Sequence, residues 1–313
     1  MLLELNNVKK YFPNRKKGEM VKAIEKVSLS VEQGEIFGLV GESGSGKTTL
    51  ARLIMGMIKL DSGTIKYEGQ DLEKLKPHEI NLLRRKMGIV FQNPYSSLNP
   101  RMTVYNIIAE PIKVYKIAKG TEVTDRVVAI MKDVGLSPDL HLNRYPQEFS
   151  GGQRQRIAIA RTISVDPQFA ILDEPTSALD VSVQAQILNL LSELQHKKQI
   201  TLFLISHNMG VIHFMCNRIG VMYLGSIVET GSVTDIFENT FHPYTINLIK
   251  SIPDFGVFFS KVKLSKSISL AQETKMICPF ATYCPNAIKS CFENSAPKLK
   301  EVSPGHSVAC HLV

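Results

Sequence analysis

The stretch "IFGLVGESGSGKTTLARLIMG", Ile36 to Gly56, constrains the fold of this 313-residue chain more than any other. Ile36 to Val40 is an uncharged apolar run, the pattern of a strand buried on both faces. From Thr48 onward the apolar period becomes helical, through Leu50, Leu53, Ile54 and Met57. Between the two, Gly41, Gly46, Lys47 and Thr48 match G-x-x-x-x-G-K-[ST]. Glycines let the backbone bend so that successive N–H groups point at phosphate oxygens, and the helix N-terminus adds partial positive charge. Lys47 is expected to reach the terminal phosphates of a nucleotide, and the Thr48 hydroxyl to ligate magnesium. Ser43, Gly44, Ser45 and Thr49 complete the expected cradle. A glycine-rich turn before a helix is the bland alternative; strand, loop and helix stand in the order that phosphate binding requires.

A second buried run ends in charge. In "FAILDEPTSALD", Phe169 to Asp180, four apolar residues lead into Asp173 and Glu174. Adjacent acids repel each other and resist burial, so a solvated turn is one explanation. The phosphate loop supplies another. At the end of a buried strand opposite a lysine and a divalent cation, Asp173 can hold the metal and Glu174 can act as the base that orients the attacking water.

Composition sets limits on everything else. A hydrophobic content of 44% and a charged content of 21% are ordinary globular values. No stretch approaches the roughly 18 consecutive apolar residues of a membrane span. The start, "MLLELNNVKKYF", meets polar and acidic residues too early for a signal peptide, so a cytosolic chain is expected. The formal net charge is +8, compatible with nucleic acid, anionic headgroups or polyphosphate, but Lys and Arg are scattered along the chain.

The segment "EFSGGQRQRIAIARTI" places Ser150, Gly151, Gly152 and Gln153 before a helical pattern, 20 residues ahead of Asp173 and with Phe149 leading. Together with the phosphate loop, this resembles the signature motif of ATP-binding cassette (ABC) ATPases, and the resemblance extends over essentially the whole chain. It implies a P-loop NTPase (RecA-like) α/β core with an antiparallel β subdomain and a helical subdomain. It also implies roles, residue by residue. Gln92 in "IVFQNPYSSLNP" matches the glutamine that senses the γ-phosphate and metal. Ser177 to Asp180 match the D-loop at a dimer interface, and His207 in "LFLISHNMG" matches the switch histidine, followed here by Asn208 where Asp is more usual. Phe12, or its neighbour Tyr11, takes the place of the aromatic that stacks on adenine. The family sandwiches two ATP molecules between two cassettes. A chain with one phosphate loop and one signature, without internal repeat, is therefore expected to pair.

The stretches "FQNPYSSLNPRMTV" and "LDVSVQAQILNLLSELQ" resemble ATPase subunits of oligopeptide and dipeptide importers, including nickel-chelate relatives. So does "FENTFHPYTINLIKSIP" with its His-Pro-Tyr-Thr element. The resemblance implies a heterodimer with a homologous ATPase, two transmembrane permease subunits and an extracellular substrate-binding protein, with the chain peripheral on the cytoplasmic face of the cell membrane. The alternatives are a metal-chelate importer and a non-transport ABC ATPase acting on nucleic acid. The insertions or second cassette usual in the nucleic-acid and ribosomal members are absent, so no nucleic-acid partner is expected. A catalytically dead cassette is opposed by intact Lys47, Asp173, Glu174 and His207.

The expected organisation is a nucleotide-binding domain over residues 1–255, with a helical subdomain at about 93–150, and a C-terminal extension over 256–313. The core strands are expected near 36–40, 169–173 and 201–206, and helices over Ile107 to Tyr115 and Thr124 to Val134. Cys216 stands alone, whereas Cys278, Cys284, Cys291 and Cys310 crowd the last 36 residues. A reducing compartment argues against disulfides. Four thiolates in a short, core-poor segment can instead converge on a metal centre, a 4Fe–4S cluster or, as the rival, zinc, and free buried thiols are the third possibility. The extensions of similar importer subunits imply the cluster.

Overall fold

The computed structural model describes residues 1–13, 20–252, 278–293 and 295–313. The expected boundary between residues 255 and 256 lies outside the described residues. In chain order the strands are β1 (Leu3–Pro13), β2 (Met20–Val31), β3 (Ile36–Val40), β4 (Ser62–Tyr67), β5 (Gln70–Asp71), β6 (Met87–Val90), β7 (Phe169–Asp173), β8 (Thr201–Ser206), β9 (Arg218–Tyr223), β10 (Ser226–Ser232), β11 (Lys300–Ser303) and β12 (His306–Val308). The helices are α1 (Lys47–Ile54), α2 (Pro77–Lys86), α3 (Pro94–Ser97), α4 (Val104–Val114), α5 (Thr121–Asp133), α6 (Pro138–His141), α7 (Gly151–Ile163), α8 (Val181–Lys198), α9 (Met209–Met215), α10 (Val233–Glu238), α11 (Pro243–Lys250) and α12 (Ser290–Glu293).

Among the described residues the strands form two sheets. The larger runs β11-β12-β10-β9-β3-β8-β7-β6, parallel from β9 to β6. Every residue of β3, β7 and β8 is buried, which is why these segments are near-continuous apolar runs, polar only at strand ends such as Asp173 and Ser206, rather than alternating. Their registers, Val40 opposite Ser206 and Asp173 opposite Ile205, bring three strand ends to one edge. In an open parallel sheet, the crevice beyond the carboxyl ends of the strands is where ligands bind. The smaller sheet, β2-β1-β4-β5, is antiparallel. Its inner face, with Leu3, Val8, Ile24 and Ile65, shares one core with Leu50 and Ile54 of α1 and Phe37 of β3.

Helices α4 and α5 bury Ile107, Ile108, Ile112, Val127 and Met131 in the second core. Both begin three residues before their expected starts. For α4 the cause is local, since Thr103 caps it by accepting from the Asn106 N–H.

The C-terminal residues add β12 and β11 to the edge of the main sheet through β10. They are fastened there by Glu229, which is fully buried on β10. Its carboxylate accepts from Thr240 Oγ1 at 2.9 Å, from the Phe241 and His242 N–H groups at 2.8 and 3.2 Å, and meets His306 Nε2 of β12 at 2.9 Å. A buried carboxylate persists when its lone pairs are satisfied in this way.

Candidate nucleotide-binding and catalytic site

The phosphate loop lies between β3 and α1, pressed against its neighbours. A Cβ at Gly41 would stand 2.2 Å from the Met222 carbonyl oxygen. At Gly46, where φ is +107°, it would stand 2.4 Å from that of Ala23. Both positions therefore require glycine. Lys47 is buried, and its Nζ donates to the carbonyls of Gly41 at 2.7 Å and Glu42 at 2.8 Å. Burial lowers its pKa, while Glu174, Asp173 and Glu42 oppose the shift. Ser45 is buried in the same loop.

Asp173 ends β7 and accepts from the Thr48 hydroxyl at 3.2 Å. Burial raises its pKa first of all, and neighbouring Glu174 adds to this; Thr48, Lys47 and Arg52 oppose. Thr48 and Asp173 thus present two hard oxygen donors side by side, a donor set suited to magnesium. Glu174 follows in a left-handed backbone conformation, φ +48°, unusual for a non-glycine residue. Its N–H is held by the Ile205 carbonyl at 2.9 Å. One carboxylate oxygen accepts from Gln92 Nε2 at 2.8 Å, and the other lies 3.1 Å from His207 Nδ1. The structure therefore gathers Lys47, Thr48, Gln92, Asp173, Glu174 and His207 at the strand ends.

The signature residues stand elsewhere. Ser150 caps α7, and Gln153 returns a bond to the Ser150 N–H at 3.1 Å. A Cβ at Gly152 would meet Val183 Cγ1 at 2.4 Å, and one at Gly151 would meet Leu179 Cδ2 at 3.3 Å, so the signature packs on the D-loop and α8. Asp180 caps α8 through the Val183 N–H at 2.9 Å, and that bond holds its carboxyl below the usual range. Among the described residues, no hydrogen bond joins residues 150–153 to residues 41–49.

Of the two candidate aromatics, Tyr11 is tied down. Its hydroxyl donates to Glu25 at 2.7 Å, and its pKa is pushed up to about 12, by burial first and then by that bond. Phe12 presents its ring at 38% exposure, with Lys10 Nζ 5.5 Å from the centroid.

The four C-terminal cysteines are free thiols in one neighbourhood. Burial raises the pKa of Cys278, Cys284 and Cys310, and mutual proximity, including to Cys291, adds to it. Backbone N–H groups of Phe280, Asn286 and Leu312 point at three of the sulfurs and oppose the shift. Among the described residues, however, no three His, Cys, Asp or Glu side chains come close enough to hold a metal ion. Neither the expected cluster nor its zinc rival is thus supported by the described residues.

Comparison with known proteins agrees with this geometry. The family model described as "ABC transporter" matches residues 24–177, and that described as "Oligopeptide/dipeptide transporter, C-terminal region" matches residues 228–291. The oligopeptide transport ATP-binding protein AppF of Bacillus subtilis is 42% identical, covering 99% of this chain and 97% of its own. OppF of Streptococcus mutans, with the same description, is 42% identical over 98% and 94% of the two chains. The chain belongs to the ABC transporter family. The solved dimeric ATP-binding cassette MJ0796, in a post-hydrolysis state with ADP and Pi, superposes on this ABC chain with a TM-score of 0.67. The two are 29% identical, over 74% of this chain and 99% of the other. CbiO1 from Clostridium perfringens, part of the transporter complex cbiONQ, superposes with a TM-score of 0.67 at 26% identity, over 82% of this chain and 98% of its own. No helix among the described residues of this ABC chain is long and apolar enough to cross a membrane. Sequence reasoning missed Glu229 as an anchor. Its only signal was a lone acid inside the apolar strand "SIVETGS".

Proposed function

We propose that this chain is the ATP-hydrolysing subunit of an importer of oligopeptides, paired with a homologous ATPase and seated on two permease subunits at the cytoplasmic face of the membrane. The observation that carries the reading is Glu174, held by Gln92 and His207 beside the Thr48–Asp173 pair and facing Lys47. Similarity over nearly the full length of curated oligopeptide transport ATP-binding proteins supports the substrate class. No observation favours the metal-chelate or nucleic-acid alternatives.

The site's chemistry follows from its parts. Loop N–H groups of residues 43–49 bind the phosphates, and Lys47 swings its ammonium onto them in exchange for the loop carbonyls. Phe12 stacks the adenine, because the Tyr11 hydroxyl is committed to Glu25. Thr48, Asp173 and Gln92 would hold a magnesium ion, which would neutralise phosphate charge when bound. Glu174 accepts a proton from the attacking water while Gln92 and His207 fix the two carboxylate oxygens. Ser150 to Gln153 lie away from this chain's own phosphate loop and are placed to cover the ATP of the paired subunit. An extracellular binding protein delivers the peptide.

The cysteine reading is separate. A 4Fe–4S cluster holds its four thiolates farther apart than a single ion does, and the backbone N–H groups at three sulfurs would donate to such ligands, although burial holds the free thiols protonated. Brown protein on anaerobic purification, with broad absorbance near about 400 nm, is the expected result, and colourless protein refutes it.

The test of the transport reading is to purify the assembled complex and measure peptide-stimulated ATP hydrolysis. Lys47→Ala is expected to abolish hydrolysis at this site. A chain that copurifies with no permease refutes the transport assignment.

A further inference from the structure

The His-Pro-Tyr-Thr element at residues 242–245 reads in the sequence only as a mark of a subfamily. In the structure its tyrosine reaches the phosphate loop. Tyr244 is 2% exposed, at the first turn of α11, and its hydroxyl accepts the Glu42 N–H at 2.9 Å across 202 residues of chain. The same peptide unit carries the Gly41 carbonyl, which accepts from Lys47 Nζ at 2.7 Å. In a trans peptide the C=O and N–H point in opposite directions. One planar unit is thus clamped from both sides, by the catalytic ammonium and by a buried phenol. If that unit rotated, the carbonyl that sets the resting position of Lys47 would rotate with it.

The phenol is itself held by the C-terminal extension. Phe280, two residues after Cys278, packs its ring 5.5 Å from Tyr244, 5.2 Å from Tyr223 and 5.8 Å from His242. Tyr223 and Tyr244 lie 4.6 Å apart. The Phe280 N–H points at the Cys278 sulfur, and the Cys278 N–H donates to the Cys291 carbonyl at 3.0 Å. A continuous set of contacts therefore runs from the cysteines through Phe280 and Tyr244 to the peptide before the phosphate cradle. Nothing in the catalytic chemistry needs this connection.

We propose that Tyr244 is a positioning residue for the phosphate loop, and that the extension, through Phe280, holds it in place. The inference rests on the ATPase reading. Lys47 grips phosphates alike in the ground and transition states, so misplacing it removes uniform binding and acts on KM rather than kcat. Removing the hydroxyl takes from the Glu42 N–H the partner that the buried phenol supplies, and frees the peptide unit that carries the Gly41 carbonyl.

The experiment uses the assembled complex with MgATP. Tyr244→Phe removes one oxygen atom and keeps the ring. It is expected to raise KM for ATP by up to about tenfold, the upper end of what one hydrogen bond carries, with kcat falling less than about threefold. Phe280→Ala is expected to raise KM by a smaller factor. The double variant is expected to be no worse than Tyr244→Phe alone, because both act on one contact chain. In the isolated full-length chain, amide exchange in residues 41–47 is expected to quicken in Tyr244→Phe, a change that general loss of stability would spread over the whole sheet. A KM within twofold of wild type, additive effects in the double variant, or unchanged exchange in that peptide overturns the proposal. Lys47→Ala separates the two levels. If Lys47→Ala still hydrolyses ATP at this chain's own site, read in a complex whose paired ATPase is disabled at its own phosphate-loop lysine, the functional reading fails; if that site is inactive and Tyr244→Phe behaves as wild type, only this inference fails.

Discussion

Glu174→Gln tests the assignment of the catalytic base and gives two effects of opposite sign. The substitution keeps the side-chain volume and one acceptor oxygen, so the 2.8 Å bond from Gln92 can persist. It removes the group able to take a proton from water. Loss of a positioned general base costs about 10²- to 10⁴-fold in rate, or roughly 3–5 kcal/mol in activation free energy. The charge change acts on binding. Glu174 raises the pKa of Asp173 beside it and helps hold the proton on Lys47, so neutralising it leaves Asp173 more readily ionised and removes one negative charge from the place where the triphosphate must sit. ATP affinity is therefore expected to rise while turnover collapses, trapping a closed ATP-bound dimer. The assay is steady-state hydrolysis by the assembled complex, with size-exclusion chromatography of the two ATPase subunits in MgATP. Turnover within about threefold of wild type would refute the base assignment, because among the described residues Glu174 is the carboxylate that both Gln92 and His207 hold.

Other expectations follow from neighbouring parts of the molecule. Tyr95 is 64% exposed on α3, three residues after Gln92, with the Arg154 guanidinium 3.8 Å from its ring centroid. Substitutions from Tyr95 to Asn99 are expected to uncouple transport from hydrolysis with nucleotide affinity nearly unchanged, and cross-links placing this surface far from every permease would contradict that. Phe12→Ala should weaken ATP binding by the roughly 1–3 kcal/mol of one base–aromatic stack, while Tyr11→Phe should not; equilibrium binding of a fluorescent ATP analogue distinguishes them. Burial lowers the pKa of His242 to about 4, against the attraction of Glu229. The unfolded chain then binds more protons than the folded one between about pH 6.5 and 4, so stability falls with pH through that window. His242→Asn, which keeps a cap acceptor for the Tyr244 N–H, should flatten that fall in Tm; an unchanged slope would show that the titration lies elsewhere.

The candidate site was legible because its residues sit on contiguous segments. A phosphate cradle needs glycines and lysine within one turn, and the acids need a buried strand directly before them. Gly41 to Thr48 and Phe169 to Glu174 therefore carried their reading in a few residues each, and the parallel registers of β3, β7 and β8 did the rest. Gln92 and His207 were reached only through family resemblance, since neither residue says anything alone. Strand β6, four residues long, was too short to separate from the helix before it. What stayed hidden was pairing over long separations between residues with no local pattern. Glu229 and His306 meet across 77 residues, and Tyr244 and Glu42 across 202. Periodicity could mark neither pair, because each rests on a single buried polar group whose partners come from distant segments. The cysteines show the converse limit. Crowding in a short, core-poor segment suggested convergence, and the thiols do share a neighbourhood, yet proximity alone does not bring three donors to the spacing that one ion requires. In the described residues the extension's legible work is mechanical. It extends the sheet edge, anchors on Glu229 and packs Phe280 behind the tyrosine that holds the phosphate loop.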